Sequence, residues 1–264
     1  MADILQTILL GIIEGVTEFL PISSTGHLLI AEQFLGERSD LFNVGIQAGA
    51  ILAIVLIYQR RLRELLLHPQ SGQNRDYLQK LGLTVLLTLV LGFIATRLGF
   101  KLPASVQPIA LATLIGGLAI LAIEAWVARR PLSDRITWAV AFWVGVGQII
   151  AGLLPGTSRS AACIFAAMLA GLTLRPAATE YAFIVGIPTM FAATGYELLK
   201  ARHDAATENW TQLAIAFVVS AIVAFGVVKW LLRYVQSHRF TVFAWYRIVL
   251  GIALLVMLHQ GVVH

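Results

Sequence analysis

Charge is what this sequence has least of. Only 12% of its 264 residues are Asp, Glu, Lys or Arg, against about 25% in soluble domains. In their place, 58% of the residues are hydrophobic without counting glycine, and the mean hydropathy is +0.82. That balance excludes an ordinary water-soluble globule, a disordered chain and a nucleic-acid-binding domain, and it makes the chain an integral membrane protein. Cysteine is nearly missing as well. The single Cys163 cannot close an intrachain disulfide, and beside Ala162, Ile164 and Phe165 it reads as a buried, inert thiol that leaves the compartment open. The opening Met1-Ala2-Asp3 lacks the basic region of a secretory signal, and no small-residue cleavage pattern follows, so no cleaved signal peptide is expected. At roughly 20 apolar residues per crossing nothing is left for a soluble domain. The chain reads as one membrane domain, 1–264.

Six apolar runs are long enough to span: Leu41 to Tyr58, Leu81 to Leu98, Pro108 to Val127, Thr179 to Leu199, Thr211 to Leu232 and Val242 to Leu258. Two further apolar regions, Ile4 to Leu35 and Trp138 to Leu172, are broken near the middle by proline, glycine and hydroxyl residues. Irregular backbone at membrane depth is tolerated only inside protein or beside a wet cavity, so each is expected to be a re-entrant hairpin of two half-length helices. Ordinary kinked spans are the alternative. The chain also repeats itself: GIIEGVTEFLPISS from Gly11 matches GVGQIIAGLLPGTS from Gly145 without a gap, pairing Glu14 with Gln148, Pro21 with Pro155 and Ser24 with Ser158. The offset of 134 is close to half the chain. A hairpin returns to its own side and three spans do not, so repeat 1 (about 1–130) and repeat 2 (about 131–264) are expected in inverted topology, their two Leu-Pro loops meeting near the midplane where such folds bind ligands.

The net charge of +5 matters less than where the basic residues fall. Arg60, Arg61, Arg63, Arg75, Lys80, Arg129, Arg130, Arg135, Arg175, Lys229, Arg233 and Arg239 would share one side, with only Arg38, Arg97, Lys101, Lys200 and Arg202 on the other. The richer side is cytoplasmic by the positive-inside rule, which puts both termini outside.

Glu14 and Glu18, four apart in an apolar helix, project from one face and call for a shared cation or a general-base role. Ser23, Ser24 or Thr25 can cap the helix that follows, pointing its N-terminus at the cavity as a site for phosphate; capping alone is the plainer reading. His27 is either catalytic or a core histidine bonded to a backbone carbonyl. In the second loop, Gly156, Thr157, Ser158 and Ser160 surround Arg159, whose guanidinium matches phosphate geometry or else pairs with Glu14 or Glu18. Arg247, embedded in the last span, is expected to serve the cavity, and Gln148 to bond a ligand or a neighbouring helix. Glu124 is expected at the interface, and the remaining histidines, His68, His203, His238, His259 and His264, in loops or at the terminus, with no metal-type cluster. Such an inventory suits a phosphorylated group whose remainder stays in lipid.

GIIEGVTEFLPISSTGHL resembles the first signature of the undecaprenyl pyrophosphate phosphatases of bacitracin-resistance type, the (E/Q)xxxE motif with its following serines and histidine, and PGTSRSAAC resembles the second, PGxSRSxxT. One position departs: Cys163 stands where the family usually has threonine, which puts a hydroxyl role there in doubt. The resemblance implies a metal-dependent enzyme of the bacterial inner membrane that hydrolyses undecaprenyl pyrophosphate to undecaprenyl phosphate and phosphate, recycling the lipid carrier. It matches Glu14 and Glu18 to the acidic motif holding Mg²⁺ or Ca²⁺, Ser24 and His27 to the catalytic hydroxyl and imidazole, and Ser158, Arg159 and Ser160 to the phosphate loop. The mechanism expected is attack by Ser24, with His27 or Glu18 taking its proton. Water or His27 as nucleophile, a lipid flippase or transporter instead of an enzyme, and a homodimer all stay open.

Overall fold

The computed structural model describes residues 2–98, 105–200 and 208–262 as eleven α-helices, without a β-strand among them. Six are long and apolar enough to cross a membrane: α3 (Asp40–Ile57), α5 (Gly72–Arg97), α6 (Val106–Val127), α9 (Arg175–Lys200), α10 (Trp210–Ser237) and α11 (Thr241–His259). The protein is therefore a multi-pass membrane protein, and each of these helices matches one of the six expected runs, α3 and α5 stopping one residue short of Tyr58 and Leu98. Their ends differ where polar residues continue the helix. α5 starts nine residues before Leu81, because Arg75, Asp76 and Lys80 extend it back to Gly72. The amphipathic α4 (Gln59–Leu67) was not anticipated; Arg60 and Arg63 are exposed, Arg61 lies over the Tyr77 ring, and Leu65 is buried. Lys101, Arg202, His203 and His264 lie outside the described residues.

The two interrupted regions form α1 (Ala2–Thr17) with α2 (Ser24–Leu35), and α7 (Trp138–Leu153) with α8 (Arg159–Leu169). None of the four reaches the roughly 20 residues a crossing needs. Both second helices are capped by a serine, Ser23 accepting from Gly26 N and Ser158 from Ala161 N. The gapless alignment therefore slips by one at its end, since it paired Ser158 with Ser24 and the equivalent cap is Ser23. α8 stops short of the expected Leu172, because Gly171 takes φ 107° and the Gly171 and Leu172 N–H groups turn back onto the Met168 and Ala167 carbonyls.

Small residues let the long helices approach closely, as membrane packing requires. A Cβ on Gly11 or Gly15 of α1 would strike the α10 backbone at Ala216 or Ser220, and one on Gly117 of α6 would strike Ala244 O of α11. Glu124, expected at the interface, is instead enclosed at 1% exposure: its carboxylate takes Arg175 side-on and the Phe240 N–H, tying the C-terminal end of α6 to the N-terminal ends of α9 and α11. An acid near a basic helix end looks interfacial in sequence; only the fold shows its partner arriving from fifty residues away.

Candidate active site

Both broken helices aim at one place. α1 ends at Thr17 and the chain turns through Glu18 to Ile22 before α2 begins; α7 ends at Leu153 and turns through Pro155 and Gly156 before α8. At the two turns Ser23 and Ser158 hold φ of 76° and 71°, the only non-glycine residues described with positive φ. Such backbone costs of order 1–3 kcal/mol each and persists only where its surroundings hold it. The surroundings are visible. Ser160 Oγ donates to Leu20 O at 2.8 Å across the two loops. The Ser23 carbonyl lies 2.7 Å from His27 Nδ1, and the other ring nitrogen, Nε2, lies 2.6 Å from the Tyr246 hydroxyl.

Arg247, from α11, bolts the loops together. Its Nε donates to Thr113 O, Nη1 to Pro21 O and Thr157 O, and Nη2 to Ala112 O and Gly156 O, at 2.9–3.2 Å. All five guanidinium protons are thus used, and the residue is 0% exposed. Nothing remains to contact a ligand, so the arginine expected at the substrate shapes the site from behind. Gly116 makes room for it, because a Cβ there would lie 2.1 Å from Nη2.

A cavity of about 240 Å³ opens where the loops meet, lined by Glu18, Ser23, Ser24, Thr25, Gly156, Ser158 and Arg159. Across it, Ser24 Oγ donates a short hydrogen bond to Glu18 Oε2, while Glu18 Oε1 takes Arg159 Nη2 at 3.0 Å. Hydroxyl, carboxylate and guanidinium, drawn from both loops, form one connected chain. Arg159 lies along Gly186 of α9, where a Cβ would be 2.4 Å from Nη1.

Other expected site residues sit outside the lining. Ser160 is buried on Leu20 O, and Thr157 faces a separate apolar groove between α6, α7 and α8. His27 points away, to Tyr246, a partner 219 residues on that no motif announced. Glu14 lies one turn behind Glu18, with both carboxylate oxygens buried and without hydrogen-bond partners. Its neighbour is another carboxylate, so a proton shared between the two or a bound cation would satisfy them. Among the described residues no group of three or more His, Cys, Asp or Glu is placed to hold a metal. That is compatible with Mg²⁺, which is commonly bound through one or two carboxylates with substrate phosphates and water completing its shell. The rest of the polar lining, missed apart from Gln148, consists of Gln47, Thr88, Gln148 and Thr189 from four helices. The only signal for it in sequence was the pairing of Gln148 with Glu14 across the repeat.

The comparisons with known proteins agree with this geometry. The family described as Bacitracin resistance protein BacA matches residues 7–253. Among curated proteins named undecaprenyl-diphosphatase, that of Rhizobium etli is 59% identical over 263 residues, 99% of each chain. That of Xanthomonas euvesicatoria pv. vesicatoria is 55% identical over 260 residues, 98% of each chain. A match that runs through both loops and nearly end to end leaves one conclusion: the chain belongs to the bacitracin resistance protein BacA family.

Proposed function

We propose that this protein is an undecaprenyl-diphosphatase of the bacterial inner membrane, releasing inorganic phosphate from undecaprenyl pyrophosphate and returning the monophosphate carrier to cell-wall synthesis. The observation that carries the reading is the Ser24–Glu18–Arg159 chain at the meeting of two broken helices inside a bundle of six apolar helices. Among the described residues no other buried cluster links a hydroxyl, a carboxylate and a guanidinium in one chain of contacts.

In this mechanism the terminal phosphoryl lies between the N-termini of α2 and α8, whose first N–H groups lack intrahelical partners, and Arg159 neutralises its equatorial oxygens. Ser24 Oγ attacks phosphorus while its proton passes to Glu18, which already accepts it as a hydrogen bond. The bond to the bridging oxygen breaks, undecaprenyl phosphate leaves, and water then frees the phosphate from Ser24. Glu14 and Glu18 would hold a divalent ion, Mg²⁺ or Ca²⁺, which when bound supplies charge neutralisation for the pyrophosphate. Ser23, Thr25, Gly156 and Ser158 shape the binding loop. His27 supports Ser23 through its carbonyl rather than taking the Ser24 proton.

We read the whole chain as one domain of two inverted repeats, with the α1–α2 and α7–α8 pairs re-entrant from opposite sides and both termini periplasmic. The packing pattern supports this. α6 packs on its counterpart α11 and α3 on its counterpart α9, while α1 packs on α10 as α7 packs on α5. These are the pairings a two-fold relation between the halves requires.

The test is phosphate release from a long-chain isoprenyl pyrophosphate by detergent-purified protein, with and without chelator. Wild type should release phosphate only with metal, and Ser24→Ala, Glu18→Gln and Arg159→Ala should each lose at least about a hundredfold. Folded wild type that moves the lipid between leaflets without cleaving it would replace the enzyme with a flippase.

A further inference from the structure

The chemistry above uses part of the cavity lining and leaves Gln47, Thr88, Gln148 and Thr189 without a task. Three of these form a fixed device. The Thr88 hydroxyl donates to Thr84 O of its own helix at 2.8 Å, so toward Gln148 it can only accept, and Gln148 Nε2 donates to it at 3.0 Å. On the other side of the amide, Thr189 Oγ1 donates to Gln148 Oε1 at 2.9 Å, the shortest of its three contacts with acceptors. The two threonines, from α5 and α9, thereby fix which way the amide faces. One Nε2 proton is used by Thr88, and the second is left for the cavity that Gln148 lines.

Helix α9 shows which part of a substrate would pass there. Arg159 Nη1 lies beside Gly186, Thr189 holds Gln148 one turn further along α9, and Met190 and Ala193, part of the apolar lining, follow. Along α9 the order is therefore the Arg159 guanidinium, then neutral polar residues, then apolar side chains. A lipid diphosphate placed with its terminal phosphoryl at Ser24 and Arg159 must present its lipid-side phosphoryl to the polar band before its hydrocarbon meets the apolar rim.

Resting on the phosphatase reading, we infer that Gln148, held by Thr88 and Thr189, binds the lipid-side phosphoryl of the substrate, the one that stays on the lipid after cleavage. A neutral amide suits this task. The first repeat has a carboxylate at the matching position, Glu14, and a second carboxylate here would repel the diphosphate; an amide donates a proton at no cost in charge. The site thus divides its substrate: Arg159 for the phosphoryl that leaves, Gln148 for the one that remains.

The division can be tested by product inhibition, since each product retains one of the two groups. Farnesyl pyrophosphate serves as substrate for the detergent-purified protein, with farnesyl phosphate and inorganic phosphate as separate inhibitors. Gln148→Glu, close in shape, and Gln148→Leu should raise KM and weaken inhibition by farnesyl phosphate about tenfold each, while inhibition by inorganic phosphate stays within twofold. Thr189→Val, which frees the amide to turn, should move the same two quantities by a smaller factor. Protection of Cys163 from thiol reagents reports that each variant is folded. Unchanged farnesyl phosphate inhibition in both Gln148 variants would overturn the inference, and so would equal weakening of both inhibitors. Wild type that releases no phosphate would sink the phosphatase reading itself, and this inference with it.

Discussion

Replacing Arg247 by lysine should damage the site without removing any group that touches substrate. The guanidinium satisfies five carbonyls at once. Thr113 O and Ala112 O lie within α6 and have helical partners as well, whereas Pro21 O, Gly156 O and Thr157 O belong to the two loops. A buried acceptor left without a donor costs about 1–3 kcal/mol. Lysine has three protons on one atom and cannot reach both loops in the plane that the fork spans. With two loop carbonyls left unmet, the loops should lose about 2–6 kcal/mol of hold against the strained Ser23 and Ser158 backbones. Cys163 makes a direct probe, because it is the only cysteine and is fully enclosed beside the second loop. Arg247→Lys protein in detergent should react with a thiol-reactive dye at a clearly lower temperature than wild type, and kcat should fall more than tenfold with little change in KM. If the variant instead kept its thiol protection and its kcat while KM rose, the guanidinium would be contacting substrate, and its reading as a bolt would be refuted.

Gly186→Ala puts a methyl group 2.4 Å from Arg159 Nη1, displacing the arginine from Glu18 rather than unfolding α9, so phosphate release should drop at least tenfold while thiol protection is retained. Gly156→Ala combines φ of 90° with a Cβ 2.6 Å from Ile109 O, and both activity and thermal stability should fall. Tyr246→Phe removes only the hydroxyl partner of His27; a loss of a few-fold is expected, against the hundredfold or more that a general base would show on replacement of His27 by Gln. Chelator should stop phosphate release by wild type, and excess Mg²⁺ or Ca²⁺ should restore it less well to Glu14→Gln, read as a shift in the metal concentration giving half-maximal rate.

How much of this was legible beforehand depends on how local each feature is. The six spans could be read directly, because a long apolar helix satisfies its own backbone and needs no partner to be recognised. The breaks at Pro21 and Pro155 were legible for the converse reason: proline and glycine remove backbone bonds wherever they stand. The serine caps were expected as a class, yet Ser23 rather than Ser24 is the counterpart of Ser158, because the second loop holds one more residue between proline and cap. Arg159 was expected either at phosphate or paired with Glu14 or Glu18, and it rests on Glu18. Glu124 was misplaced at the interface, and the partners of Tyr246 and Thr189 could not be read at all. Each owes its position to a partner on a distant helix, and in a membrane span a threonine or tyrosine carries no periodic signal of its own.

By itself, then, the sequence determined the solvent the protein lives in, the six helices long and apolar enough to span, the likeness between the two loop segments, and the residue types at those loops. These follow from composition and from short-range backbone chemistry. The meeting of the loops was expected from the repeat; only the tertiary structure decided that Ser24 faces Glu18 and not His27, that Arg247 spends all its protons on carbonyls, and that Gln148 and Arg159 line one cavity. Those facts depend on which helix packs against which. Between helices that are all apolar, that choice rests on glycines where backbones touch and on single polar contacts between residues far apart in the chain, neither of which leaves a local mark.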